Sequence, residues 1–164
     1  MTAEYADAAL RPSDGAEAVL VALGSNLGDR SAYLALARER VADAPDCRLE
    51  AATEPEETDP IGPTGQPPYL NQMLLVRTQR SPLALLDLLQ EAERAAGRER
   101  TERWGSRTLD CDVVMFGMRN IRHPRLTVPH PEIANRPFWQ HELRALGVAW
   151  SDREPPAPGG EGAR

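Results

Sequence analysis

Cysteine is scarce in this chain of 164 residues: Cys47 and Cys111 are the only two. Two thiols that far apart form no zinc motif, and they fit a reducing, cytosolic setting. Positive charge is also in deficit. The formal net charge is -6 and the pI is near 5.1, which argues against a general nucleic-acid or membrane-surface binder. No apolar run is long enough to span a bilayer, and no basic stretch near the N-terminus leads into an apolar one, so neither a membrane span nor a signal peptide is expected. There is no internal repeat. Gly24-Ser25-Asn26-Leu27-Gly28 lacks the Gly-Lys-Ser/Thr ending of a P-loop and is better read as a tight turn. No Ser-His-Asp or Cys-His pairing can be argued from spacing.

What is present is enough for one domain with a real core. Residues 1–17 show no clear periodicity and are expected to form a disordered or loosely ordered extension. Residues 151–164 are polar and rich in Pro and Gly, and are expected to be a disordered tail. The folded domain is then 18–150. Ala18–Leu23 is a short apolar run ended by Gly24-Ser25-Asn26, a buried strand and a turn. Asp29 to Asp43 carries Leu34, Ala37 and Val41 at helical spacing, with Asp29 as N-cap. Arg48–Glu57 fits a strand mainly by its place between its neighbours. Thr58–Pro68 holds four prolines and two glycines and is a loop. Tyr69–Thr78 is an apolar, partly β-branched strand. Ser81-Pro82 opens a second helix, with Leu85, Leu86, Leu89 and Ala92 on one stripe and Gly97 to end it. A strand over Thr108–Phe116 follows, and Asn120–Arg122 adds a short partner. The order βαββαβ predicts an α+β, ferredoxin-like antiparallel sheet with helices packed on one face and additional C-terminal elements, which leaves the face opposite the helices free for a site.

Within Thr108–Phe116, Asp110 and Asp112 are two apart, so they share a face, while Leu109, Cys111, Val113 and Met115 are expected on the other. Side-by-side carboxylates repel and call for a cation. Directly upstream lie Arg98, Arg100, Arg103 and Arg107, with Trp104 among them. Paired carboxylates suit Mg2+, and guanidinium forks grip phosphate oxygens two at a time. Together they point to a Mg-nucleotide site under an arginine loop that closes over it. The plainer alternative is two exposed acids beside a solvated loop balanced by Glu99 and Glu102. His130, between Pro129 and Pro131, is either a turn residue or a hydrogen-bond donor to phosphate. Arg125 before it, and Asn135, Arg136 and Phe138 after it, form a second cationic and aromatic cluster. Tyr69 and Asn71 share a strand face, where an amide can read the edge of a heterocycle and a ring cover its plane.

Five stretches together resemble the 6-hydroxymethyl-7,8-dihydropterin pyrophosphokinase family. They are Val21–Asp29, Tyr69-Leu70-Asn71-Gln72, Gly97-Arg98-Glu99-Arg100, Arg103–Asp112 with its Arg-Trp-Gly-x-Arg-Thr-Leu-Asp-x-Asp pattern, and Leu126–Pro131. The resemblance spans about residues 18 to 138. It implies transfer of the terminal two phosphates of ATP to the pterin hydroxymethyl group, with AMP released, in folate biosynthesis. It implies two Mg2+ ions on Asp110 and Asp112, with Arg98 and Arg107 at the transferring phosphates. Gln90, Glu93, Arg100, Trp104, Val113, Arg125, Thr127 and His130 would lie at the nucleotide. Thr58, Asp59, Ile61, Tyr69, Asn71, Arg136 and Phe138 would line the pterin pocket, with Thr58–Pro68 and Gly97–Ser106 as lids. The chain departs from the family pattern at Asp59, Ser106 and Cys111, and again after Phe138, where Trp139-Gln140-His141-Glu142-Leu143 replaces an aliphatic run. The implied partners are small molecules; the acidic composition argues against nucleic acid and membrane, the two scattered thiols fit a cytoplasmic setting, and a monomer is expected because nothing suggests a large apolar patch. Two other readings remain. One is a Mg-dependent nucleotidyltransferase, which would release diphosphate; the other is a non-catalytic ligand-sensing module, which would bind nucleotide without consuming it.

Overall fold

A computed structural model describes residues 8–60, 62, 64–97 and 107–150. Its elements are β1 (Glu17–Ser25), α1 (Arg30–Asp43), β2 (Cys47–Ala52), β3 (Glu56–Thr58), β4 (Tyr69–Thr78), α2 (Pro82–Ala95), β5 (Asp110–Phe116), β6 (Ile121–His123), β7 (Leu126–Val128) and α3 (Pro137–Ala145). Short 3-10 turns occupy Ala8–Leu10 and Ile133–Asn135. The main sheet runs β2-β4-β1-β5 with β3 on the other half of β4, and every pairing in it is antiparallel. This is the expected ferredoxin-like arrangement. β6 and β7 form a separate hairpin.

The local signals act where they stand. The Asp29 side chain accepts from Ala32 N–H and the Ser81 side chain from Ala84 N–H, so both main helices open on a side-chain cap worth about 1 kcal/mol each. Pro82 starts α2, where its missing N–H costs no helical bond. Gly97 ends it in a left-handed conformation, φ +72, that a side chain would resist. The buried stripes Leu34, Ala37, Val41 and Leu85, Leu86, Leu89, Ala92 pack on the face of the sheet that presents Val19, Val21, Leu23, Leu74, Val76, Cys111 and Val113.

The structure corrects four expectations. The stretch over 48–57 is two strands, because it breaks between Ala52 and Glu56, where Pro55 has no N–H to give a ladder. Residues 8–16 are not a loose extension. Leu10 is fully buried, and Arg77 ties the segment down by donating to the carbonyls of Ala9 and Arg11 while pairing with Glu50. Met115 does not share a face with Cys111 and Val113. The β1–β5 register runs Leu20 to Met115 and then Val21 to Val113, so Val114 is an extra residue in a bulge, and a bulge shifts the alternation by one. Val114 and Met115 therefore both join the opposite cluster. Finally, the face away from α1 and α2 is not bare. Leu10, Ile133, Trp139, Leu143 and Val148 cover its middle, against Ala18, Leu20, Ala22, Met73, Leu75 and Val114.

Candidate active site

The end of that second face left uncovered among the described residues is where the acids emerge. Asp110 and Asp112, both half-buried, stand opposite Gly24 and Ala22 on β1. Gly24 is in turn opposite Asn71 on β4, so Asn71, Gly24 and Asp110 form one row across three strands. A Cβ at Gly24 would lie 3.3 Å from the Tyr69 ring and 3.4 Å from Asn71 Oδ1. The glycine thus keeps a low floor between the carboxylates and the two β4 side chains. At the far wall, Asn71 Nδ2 donates to Thr58 Oγ1 at 2.5 Å, fixing which end of the amide faces the floor. Asp59 lies exposed just past β3.

The bulge sets the other wall. His130 N–H donates to the Val114 carbonyl at 2.8 Å, two residues beyond Asp112. The His130 ring accepts the Glu132 N–H on Nδ1 at 3.1 Å. A neutral imidazole then carries its proton on Nε2, and Nε2 is 3.7 Å from Asp112 Oδ1. Burial, and then the Arg136 guanidinium, push His130 down to about 4 against smaller opposing pulls from Glu132 and Asp110, so the ring is neutral near pH 7. Arg136 Nη1 is 4.0 Å from Asp112 Oδ2. Phe138, half-buried, follows at the start of α3.

Beneath β5, buried Glu93 reaches up from α2 and accepts the Cys111 N–H at 2.9 Å, between the two aspartates. Its observed contact is with the strand that bears the acids. Val113 has its side chain in the core on the α1–α2 side, so that side chain meets no ligand; a strand residue one away from Asp112 must point the other way. Gln90 and Arg125 meet each other at the edge of α2, with Asp87 as a second partner of Arg125. Thr127 is half-buried in β7 opposite Arg122. Arg107 is half-buried and held by its main chain: its N–H donates to Asn26 Oδ1 at 2.7 Å and its carbonyl accepts from Asn26 N–H at 3.0 Å. Ile61, Arg98, Arg100, Arg103 and Trp104 lie outside the described residues.

Three contributors were not singled out from the sequence. Asn26, 1% exposed, uses its whole side chain. Beyond Arg107, its Nδ2 donates to Gln66 Oε1 at 3.1 Å and to the Pro67 carbonyl at 3.2 Å. It therefore joins the loop after β3 to the chain entering β5. Its signal was an amide between Gly24 and Gly28, just after a strand. Gly24 itself was read only as part of a turn. Trp139, buried on α3, was noted only as a departure from an aliphatic run.

The donor set fits a divalent cation of the Mg2+ kind. Two carboxylates share one face beside an open floor, and among the described residues no group of three or more His, Cys, Asp or Glu is placed to enclose an ion. A hard cation that keeps water and phosphate oxygens in its shell asks for one or two protein carboxylates. Among the described residues no helix is long and apolar enough to cross a membrane.

Comparisons with known proteins place the chain in a family. Residues 20–147 match the model of the family described as 7,8-dihydro-6-hydroxymethylpterin-pyrophosphokinase. The chain is similar to the 2-amino-4-hydroxy-6-hydroxymethyldihydropteridine pyrophosphokinase of Haemophilus influenzae, 40% identical over 118 residues, covering 72% of this chain and 74% of that protein. Its namesake in Pseudomonas aeruginosa is 41% identical over 128 residues, 78% of this chain and 79% of the relative. That of Bacillus subtilis is 39% identical over 118 residues, 72% and 71%. The chain belongs to the 7,8-dihydro-6-hydroxymethylpterin-pyrophosphokinase family, transferases that use ATP to pyrophosphorylate hydroxymethyldihydropterin in folate biosynthesis.

Proposed function

We propose that this chain transfers the β,γ-diphosphate of ATP as one unit to the hydroxymethyl oxygen of 6-hydroxymethyl-7,8-dihydropterin, releasing AMP, in a Mg2+-dependent reaction. The observation that carries the reading is the row Asn71–Gly24–Asp110, with Asp112 one step along. It supports a heterocycle seated over Gly24 with its reacting substituent directed at the acids. Asp110 and Asp112 would hold two Mg2+ ions, which when bound neutralise phosphate charge and align the oxygens of the transfer.

The chain's own residues supply the rest. Tyr69 and Phe138 would cover the pterin ring, and Asn71, fixed by Thr58, would read its edge; Ile61 and Asp59 complete the proposed pocket. Neutral His130 directs its Nε2–H toward the acids and can donate to a phosphate oxygen without adding charge. Arg107 and Arg98 are assigned to the transferring phosphates, and Arg136, 4.0 Å from Asp112 Oδ2, to the pterin end of the site. Gln90, Arg125 and Thr127 line the nucleotide side with Arg100, Trp104 and the Val113 main chain, and Glu93 supports the strand from below. Diphosphoryl transfer requires positioning, charge neutralisation and exclusion of water, with no covalent nucleophile.

The reading takes the chain as a cytoplasmic monomer acting on small molecules, with no nucleic acid or membrane partner. Cys47 and Cys111 form no disulfide, and among the described residues Leu27 is the exposed large apolar side chain. Product analysis tests the function. With ATP, Mg2+ and the hydroxymethyl pterin, AMP should appear only when the pterin is present. Release of diphosphate with nucleotidyl transfer to the pterin would refute it.

A further inference from the structure

An indole lies behind two donors that approach Asp112 among the described residues. Trp139 is 3% exposed. The Arg136 guanidinium sits over its ring, 4.4 Å from the centroid. The His130 imidazole meets it in a T, with centroids 5.0 Å apart and planes at 89°. Arg136 Nε is buried without a hydrogen-bond partner. Fixed acceptors therefore do little to set its position. The face of an indole attracts a guanidinium, more strongly out of water, and leaves the in-plane N–H donors able to meet an anion. An aliphatic side chain would fill the same space without offering that face.

We infer that Trp139 is a positioning residue of the transfer: its indole holds Arg136 against Asp112 and braces His130, so that both donors are in place when the diphosphate arrives. The inference rests on the proposed reading of Asp112 and Arg136 as parts of the site. Trp139 is not assigned to substrate; it acts through its neighbours. The dependence is strongest on Arg136, whose guanidinium has the indole face as its support.

A double-mutant cycle tests this in the full chain. AMP release is measured at saturating ATP and Mg2+ with varied pterin, for Trp139→Leu, Trp139→Phe, Arg136→Ala and the Arg136→Ala/Trp139→Leu double variant, with thermal unfolding of each. Trp139→Leu should lower kcat/KM for the pterin about tenfold, the scale of one desolvated cation–π contact. Trp139→Phe, which keeps a ring face, should recover to within about threefold of the parent. In the Arg136→Ala background, adding Trp139→Leu should cost less than about twofold, because the interaction is already gone. An equal cost in both backgrounds, or a Phe variant no better than Leu, would overturn the inference. If the Leu variant does not fold, Trp139→Met, which fills the volume without a ring, takes its place in the same cycle with the same expected outcomes. Arg136→Ala turning over like the parent would overturn the assignment of Arg136 to the site, and the inference with it, a result distinct from additive costs.

Discussion

Replacing Glu142 by glutamine should make the protein more stable, by an amount that depends on pH. Glu142 lies on α3, one turn beyond Phe138, and is 2% exposed. Its Oε2 accepts the Thr53 hydroxyl at 3.3 Å, while its Oε1 is buried with no partner. Burial, and then the Glu56 carboxylate facing it from β3, push its carboxyl up from 4.5 to about 7, against a smaller opposing pull from the Thr53 hydrogen bond. Between about pH 4.5 and 7 the folded chain keeps this proton and the unfolded chain does not. The folded state then binds more protons, so stability falls as pH rises through that window. The full cost, on the order of 3 kcal/mol, is present above about pH 7. Glutamine is a neutral isostere that cannot ionise. Glu142→Gln should match the parent near pH 4 and exceed it by about 3 kcal/mol at pH 8, roughly 10 °C in Tm for a chain of this size. Urea or thermal unfolding across pH 4 to 8 in matched buffers measures the difference. A constant difference over that range, or a parent that gains on the variant as pH rises, would refute the reasoning.

Further perturbations separate the parts of the site. Gly24→Ala places a methyl 3.3 Å from the Tyr69 ring and 3.4 Å from Asn71 Oδ1; it should raise KM for the pterin about tenfold while leaving KM for ATP within about twofold, as expected of a change confined to one side of the floor. An equal rise in both constants would argue against the heterocycle lying over Gly24. Asn26→Ala leaves the Arg107 N–H and the 66–67 segment without their shared partner; it should cost about 2 kcal/mol of stability and speed hydrogen exchange at Arg107, and unchanged exchange there would count against the clamp. Glu93→Ala removes the acceptor of the Cys111 N–H; it should cost about 2 kcal/mol and weaken Mg2+ activation, and a loss of stability with Mg2+ dependence unaltered would reduce Glu93 to a structural support.

The sequence was most legible where a single element carries its own signal. The caps at Asp29 and Ser81-Pro82, the helical stripes, and the pairing of Asp110 with Asp112 on one face all depend on neighbours a few residues away. It was least legible where distant segments decide the outcome. The bulge at Val114 is set by register against β1, and only the folded chain shows that its carbonyl anchors His130. Alternation alone put Met115 on the wrong face for that reason. The break near Pro55 was obscured by acidic residues that carry no pattern. The burial of Leu10 depends on Arg77, more than sixty positions away. Trp139 showed in the sequence only as an aromatic in place of aliphatics; the stacking partners that give it a role come from the turn before α3 and from the segment after β7.

The most direct test is the turnover of Asp112→Asn, measured as pterin-dependent AMP release at saturating ATP and Mg2+ alongside its thermal unfolding. The substitution keeps the size and removes the charge of a half-buried side chain facing His130 and Arg136. The rate should fall by at least about a thousandfold, as loss of a metal carboxylate implies, while Tm stays within a few degrees of the parent. A variant that folds and turns over at the parental rate would contradict the account.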